Sequence, residues 1–173
     1  YMNLPYTHSG PISSMLAMNK YFSKQLFIKN KINTPNYFYL NKINFTFNKI
    51  KKQIKKNKLK FPIVIKPNDE GSSIGVSICK NYNSLYKSFN NLNKIYTELI
   101  FENYIPGQEI QVANIGNRSI GAIELKPKRK FYDYKAKYKR SSKTQHIMPA
   151  GIPKKKYDEV LNISNKAYKV LKC

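Results

Sequence analysis

The chain has 173 residues, of which 41% are hydrophobic and 13% aromatic, enough to bury the core of one ordinary domain or of parts of two. This content excludes a disordered tail, and no run approaches the roughly 18 apolar residues of a membrane-spanning helix. The two cysteines, Cys79 and Cys173, exclude a disulfide framework and favour a reducing compartment, which we expect to be the cytoplasm. Because the chain begins with Tyr1 rather than Met, we expect it to be processed or incomplete.

The formal net charge of +23 comes from 32 Lys and Arg against 9 Asp and Glu. A surface that binds nucleic acid or an anionic membrane would explain it. Drift in composition would also explain it, because lysine is abundant together with Asn, Ile, Tyr and Phe, the residues of AT-rich codons. The basic residues are mostly lysine, which lacks the guanidinium fork that reads phosphate and guanine. We therefore favour drift and expect neither nucleic acid nor a membrane as a partner.

Helical and strand periodicities alternate along the chain. In chain order they predict a loop over 1–12; a helix capped by Ser13 or Ser14, with an apolar stripe of Met15, Met18, Phe22 and Leu26; a strand over 37–40; a helix marked by Phe47, Ile50 and Ile54; strands over 61–66 and 74–78; a helix marked by Leu85, Phe89 and Leu92; a strand over 98–102; a hairpin of 109–115 and 118–125; and a helix marked by Val160, Ile163, Ala167 and Val170. The pattern predicts a mixed α/β or α+β chain with a largely antiparallel sheet.

The most informative local motif follows the strand over 61–66. Lys66 ends that strand, and the polar loop after it contains Gly71, Ser72 and Ser73. A lysine at the end of a buried strand points into a restricted space, and the glycine and serines let backbone N–H groups approach an anion closely. This combination suits a nucleotide phosphate, although the residue order of a P-loop is absent. An ordinary hairpin turn with a solvated lysine is the alternative.

Two glutamates are a second candidate feature. Glu102 ends an apolar strand, and Glu109 follows a Pro-Gly turn. A carboxylate beside an apolar wall can accept a hydrogen bond from an adenine amino group, and a second can accept from ribose hydroxyls. Two ordinary surface glutamates are the alternative.

The segment 126–150 is basic and aromatic without a clear period, which is typical of a functional or disordered loop. Its interleaved aromatics and lysines over 131–138 could stack bases, close as a lid over a phosphorylated intermediate, or form an exposed loop. His8 and His146 are isolated, and no Cys/His spacing is typical of a zinc site.

Taken in order, several stretches resemble the D-alanine–D-alanine ligases of the ATP-grasp superfamily. Each piece is short, but their order makes the resemblance specific, and it extends over essentially the whole chain. The stretches are LPYTHSG (4–10), LAMNK (16–20), VIKPNDEGSSIG (64–75), ENYIPGQE (102–109) and FYDYKAKY (131–138), followed by TQ (144–145), PA (149–150) and LKC (171–173).

The resemblance implies an α+β ATP-grasp fold with mostly antiparallel sheets and flanking helices. Residues 1–12 would end the family's N-terminal domain, 13–103 would form the central domain, and 104–173 would begin the C-terminal domain. ATP would lie between the last two. The resemblance also implies a cytoplasmic enzyme that is commonly a homodimer.

Site residues follow from the resemblance position by position. For ATP these are Lys20 and Lys66 at the phosphates, Glu70, Gly71, Ser72 and Ser73 in the loop that covers them, Glu102, Asn103 and Ile105 at adenine, Glu109 at ribose, and Lys137 in a loop that closes the site. Ser72, Lys137 and Tyr138 form the implied catalytic set, near the first D-alanine. Asn103 stands where the family often has lysine, but its backbone can still meet adenine.

The implied reaction phosphorylates the carboxylate of one D-alanine, and the amine of a second D-alanine then attacks the acyl phosphate. The product serves peptidoglycan precursor synthesis. Lysines and Mg²⁺ or Mn²⁺ would neutralise the transferring phosphoryl group. The family's R-x-D and E-x-N segments, which supply an arginine and the metal ligands, would lie beyond Cys173. We therefore expect no metal ligand in these 173 residues and no dipeptide from them alone.

Three alternatives stay open. The chain could belong to a ligase for another D-amino acid or a D-alanyl ester, although Tyr138 favours the dipeptide. It could be a basic nucleic-acid-binding module that uses 126–150. It could also derive from a decayed gene copy.

Overall fold

The computed structural model describes residues 4–41, 46–127 and 144–173. Five helices lie in this part of the chain: α1 (Pro11–Met18), α2 (Lys20–Lys29), α3 (Phe47–Lys56), α4 (Tyr82–Leu92) and α5 (Lys154–Val170). Its seven strands are β1 (Tyr37–Asn41), β2 (Ile63–Pro67), β3 (Ser77–Cys79), β4 (Glu98–Asn103), β5 (Glu109–Ile115), β6 (Arg118–Lys126) and β7 (Gln145–Ile147).

The first four strands form one antiparallel sheet in the order β1-β4-β2-β3. Because side chains alternate across a strand, Ile63 and Ile65 of β2 face one side together with Phe101 of β4, and this side packs on α3 and α4 in the main core. Lys66 and Glu102 therefore lie on the opposite side. The sheet separates the core from the two charged residues that the sequence singled out.

The remaining three strands form a second antiparallel sheet in the order β5-β6-β7. Helix α5 lies against β5 and β6, where the Tyr157 hydroxyl accepts a 3.0 Å hydrogen bond from the backbone N–H of Ala122. The Asn114 side chain also donates to Ser164 at 2.7 Å. The segment 104–108 joins the two sheets.

The prediction of one helix after Ser13 is wrong. Asn19 is extended, with φ −80° and ψ 102°, and its side chain accepts from the backbone N–H of Phe22 at 2.9 Å, so it caps a separate helix α2. Helix α1 begins at Pro11 with Gly10 as its N-cap, so its first two residues lie within the predicted loop over 1–12. The expected serine cap is absent in this part of the chain, because Ser13 donates instead to the carbonyl of Lys172.

The apolar stripe predicted for that helix does not form a buried face. Met15 is 66% exposed, Phe22 is 53% exposed and Met18 is 48% exposed. The other helices and strands are confirmed to within a few residues. The largest difference among the strands is at 74–78, where β3 begins only at Ser77. No helix in the described ranges is long and apolar enough to cross a bilayer.

Candidate functional site

A buried ion pair joins two neighbouring strands on the side of the first sheet away from the core. Lys66 of β2 contacts Oε1 of Glu102 on β4 through its Nζ. The Glu102 side chain is only 9% exposed, and the Lys66 side chain is 19% exposed. The antiparallel register pairs Val64 with Glu102 and Lys66 with Ile100, so these two long side chains meet diagonally.

A second lysine, which the sequence reasoning missed, completes this cluster. Lys24 of α2 lies with its Nζ 2.7 Å from Oε2 of Glu102, and its side chain is 8% exposed. The same Nζ lies 2.5 Å from the Thr34 hydroxyl and 4.7 Å from the centroid of the Tyr37 ring. Lys24 follows Lys20 by four residues, so helical spacing alone would have put both lysines on one face of α2.

The burial and the charges of this cluster shift the pKa values of its members. Burial by itself raises the pKa of Glu102, but the charges of Lys66 and Lys24 outweigh it and leave that pKa below its usual range. Burial lowers the pKa of Lys24, and Glu102 offsets only part of this effect. Glu102 is therefore a carboxylate at neutral pH, with a lysine at each of its oxygens.

Lys20 is held beside the cluster by a buried asparagine. The Lys20 Nζ donates to the carbonyl of Asn68 at 3.2 Å and to the carbonyl of Glu70. The Asn68 side chain is fully buried, accepts from the backbone N–H of Tyr21 at 2.9 Å and donates to Glu98 at 2.7 Å. Burial, followed by the charge of Lys66, lowers the pKa of Lys20.

The loop between β2 and β3 has an unusual backbone. Ser72 and Ser73 adopt positive φ angles of 50° and 61°, and Gly75 follows at 69°. Left-handed conformations are uncommon for residues other than glycine, and runs of them turn successive backbone N–H groups to one side. This accounts for the late start of β3. A Cβ on Gly75 would lie 2.7 Å from Cγ of Pro67, so this position requires glycine.

These parts meet at one cavity of about 450 Å³. The cavity is lined by the charged side of the first sheet, by the loop over 70–73, by the linker and by the start of β5. Every described residue of the predicted ATP set lines it: Lys20, Lys66, Glu70, Gly71, Ser72, Ser73, Glu102, Asn103, Ile105 and Glu109. The predicted Lys137 and Tyr138 lie outside the described residues, as does most of the segment 126–150.

The orientation of two predicted residues is informative. The Asn103 side chain accepts from the backbone N–H of Lys60 at 2.8 Å, which supports a role for its backbone rather than its side chain. Ile105 is 64% exposed and offers an apolar surface at the cavity. The cavity thus combines cationic, carboxylate and apolar groups, and its volume falls within the range of small-molecule sites, roughly 300–1,000 Å³.

The described residues do not form a metal centre. Over 4–41, 46–127 and 144–173 no three His, Cys, Asp or Glu side chains are grouped in a way that could hold a metal ion. By themselves, the described residues therefore do not fit a complete Mg²⁺ site.

A second cavity of about 440 Å³ lies on the other side of the linker, where Gln108 donates to the buried carboxylate of Glu124 at 3.0 Å. Of the predicted site residues that the structure describes, only Ile105 and Glu109 line it. The lysines and the serine loop thus favour the first cavity as the site.

Comparisons with known proteins agree with this geometry. The chain is 51% identical over 172 residues to D-alanine--D-alanine ligase of Pelagibacter ubique (strain HTCC1062), covering 98% of this chain and 55% of that protein. It resembles the solved D-alanine--D-alanine ligase of Bacillus anthracis with 31% identity and a TM-score of 0.78, covering 98% of this chain and 53% of that one. A structure of the Bacillus anthracis ligase complexed with ATP matches with 26% identity and a TM-score of 0.73, covering 98% and 50%.

The VanG D-Ala:D-Ser ligase of Enterococcus faecalis matches with 27% identity and a TM-score of 0.80, covering 97% of this chain and 49% of that one. The chain thus spans about half the length of these relatives. The likeness supports the predicted α+β ATP-grasp fold. The family model for the D-ala D-ala ligase C-terminus matches residues 26–173. Because this model matches most of the sequence, the chain belongs to the D-alanine–D-alanine ligase family.

Proposed function

We propose that the cavity binds ATP and that the chain is the nucleotide-binding part of an enzyme that joins two D-alanines for peptidoglycan precursor synthesis. One observation carries the proposal: residues from distant parts of the chain that match the family's ATP positions line a single cavity. A related ligase has been solved in complex with ATP. The cytoplasmic location expected from the sequence remains a prediction.

The proposed roles follow from the chemistry of the lining. Lys20 and Lys66 supply positive charge for the phosphates, and the loop with Ser72 and Ser73 covers them. Val64 and Ile105 offer apolar surface against which a flat base can pack, and Glu109 accepts from ribose hydroxyls. Phosphoryl transfer requires positioning and charge neutralisation more than covalent chemistry, and these residues provide both.

In the proposed reaction, the carboxylate of the first D-alanine attacks the γ-phosphorus and ADP leaves. The amine of the second D-alanine then attacks the acyl carbon, the C–N bond forms, and phosphate leaves as the amine loses its proton. We propose that Ser72, Lys137 and Tyr138 surround the first D-alanine. A divalent cation would neutralise the charge of the phosphates, but the described residues do not provide a group of ligands to hold one.

The domain division at 12–13 and 103–104 and the homodimer are part of the same proposal. The linker 104–108 between the two sheets supports the second boundary. Because one structural relative is named for D-Ala and D-Ser, a ligase with a different second D-amino acid is the alternative function.

Calorimetric titration of ATP into the 173-residue chain tests the nucleotide site. We expect saturable binding that Lys66→Met weakens by about tenfold or more, because a charge-assisted contact to phosphate is lost. Lys29→Met, an exposed lysine on α2, is the matched control and should bind as the unaltered chain does. A folded chain that fails to bind ATP, or equal effects of the two substitutions, would overturn the proposal.

The ligase activity requires a separate measurement. The full-length gene product should release phosphate from ATP only when D-alanine is present, and it should form D-alanyl-D-alanine. The 173-residue chain alone should form none. Dipeptide formation by this chain alone would contradict the expectation that essential groups lie outside it.

A further inference from the structure

Lys24 is a buried cation that, in the part of the chain described, contacts the lining of the nucleotide cavity through Glu102. It does not line the cavity itself. It lines a smaller, neighbouring cavity of about 320 Å³, whose lining shares Lys20, Lys66 and Glu102 with the nucleotide cavity. Within the described residues, its ion pair with a residue of the proposed ATP site is made to the carboxylate of Glu102.

The two lysines on Glu102 are held differently. Lys24 is fixed from three sides, by Glu102, by the Thr34 hydroxyl and by the face of Tyr37. Lys66 is the more exposed of the two and lines the cavity. Only Lys66 is therefore placed to exchange its partner for a ligand in the cavity.

We propose that Lys24 is a positioning residue that remains on Glu102 as its counter-ion, so that Lys66 is free to move from Glu102 to a phosphate of the nucleotide. This inference rests on the proposed function. Without a nucleotide, one carboxylate is shared by two lysines. With ATP bound, the same charges form two pairs, Lys24 with Glu102 and Lys66 with phosphate.

The physical reason is the cost of a buried charge without a partner. If Lys66 were the sole counter-ion of Glu102, its transfer to phosphate would leave a carboxylate that is 9% exposed without compensation. Lys24 removes this penalty, since its contact with Oε2 does not depend on the position of Lys66. Lys20 lies on the same face of α2, but its Nζ is engaged by the carbonyls of Asn68 and Glu70.

The test compares ATP with adenosine, because only ATP has phosphates for Lys66. Calorimetric affinities for both ligands are measured on the unaltered chain and on Lys24→Met. We expect Lys24→Met to weaken ATP binding by about tenfold or more while adenosine binding changes by less than about twofold. The control is Lys29→Met, which replaces an exposed lysine at the end of the same helix. It should change neither affinity.

Two further variants separate positioning from a structural role. Lys24→Arg keeps the charge and should restore the ratio of ATP to adenosine affinity. Lys24→Met combined with Glu102→Gln removes the carboxylate that would retain Lys66, and it should restore the ratio to within about threefold. A merely structural role predicts equal losses for ATP and adenosine and no rescue in the double variant.

Each outcome decides the proposal. A selective loss of ATP affinity with rescue by the double variant supports it. Equal losses, no loss, or a ratio that stays low in the double variant overturns it, and Lys24→Gln replaces Lys24→Met in every comparison if that variant fails to fold. An unaltered chain that binds neither ligand would overturn the proposed function, and this inference with it.

Discussion

The buried side-chain amide of Asn68 donates a 2.7 Å hydrogen bond to the carboxylate of Glu98, while its oxygen accepts from the backbone of Tyr21. One side chain thereby joins the first sheet to the start of α2. We expect Asn68→Ala to lower the free energy of unfolding by about 2–4 kcal/mol, because the backbone N–H of Tyr21 and the carboxylate of Glu98, both part-buried, lose their partner together. Urea unfolding measures the change, with the exposed Asn91→Ala of α4 as control. Equal effects of the two substitutions would show that the Asn68 contacts contribute nothing.

Glu102 makes stability depend on pH in acid. Its folded-state pKa lies below its ordinary value of 4.5, so its contribution is present above 4.5 and is lost as pH falls through the lowered folded value. Near neutral pH we expect Glu102→Gln to cost about 3 kcal/mol, because two buried lysines lose their counter-charge. Urea unfolding as a function of pH should show the difference from the unaltered chain shrinking on acidification. A difference that is constant or grows in acid would refute this.

Gly75 supports the left-handed loop of the site. Its φ of 69° and the 2.7 Å approach of an added Cβ to Pro67 predict that Gly75→Ala costs about 1–3 kcal/mol of stability and weakens ATP binding by displacing the loop. Gly10→Ala is the control, since an added Cβ there meets nothing within 4 Å; as the N-cap of α1 it should cost no more than about 1 kcal/mol and should leave ATP binding unchanged. Thermal unfolding and ATP titration of both variants test this. Unchanged behaviour of Gly75→Ala would show that the loop tolerates a side chain.

The two cysteines should differ in reactivity. Cys79 is 1% exposed, and burial raises the pKa of its thiol, so little thiolate forms and reagents have no access. Cys173 is half-buried. With Ellman's reagent we expect Cys173 to react readily in the folded chain and Cys79 to react only in denaturant. Cys173→Ser isolates the second reaction, and rapid labelling of that folded variant would contradict the described burial.

Most helices and strands were predictable from the sequence because the apolar residues of each recur at the spacing that puts them on the face packed against the core. Ile50 and Ile54 of α3 and Leu85 and Phe89 of α4 all enter the core as their spacing indicated. The prediction failed at Asn19, where a side-chain cap overrides a continuous apolar stripe and divides one expected helix in two. No local pattern distinguishes a capping asparagine from one on a helix surface.

The site was predictable where family motifs are local and unpredictable where contacts are distant. Lys66 and Glu102 were both identified, but their pairing depends on strand register, which the sequence does not determine. Lys24 and Asn68 were missed because their importance comes from burial between elements rather than from their neighbours in sequence.

The backbone and the side chain of Lys20 make separate contacts. Its backbone N–H donates to the carbonyl of Asn68 at 3.0 Å, and the N–H of Tyr21 anchors the same turn of α2. Neither anchor uses the ammonium group that faces the cavity. A different side chain at position 20 would leave both backbone anchors in place, although it would remove the contacts of Nζ with the carbonyls of Asn68 and Glu70. Every amino acid except proline carries the N–H that the anchor on Asn68 needs, so the position of the backbone is independent of the charge that the side chain carries into the cavity.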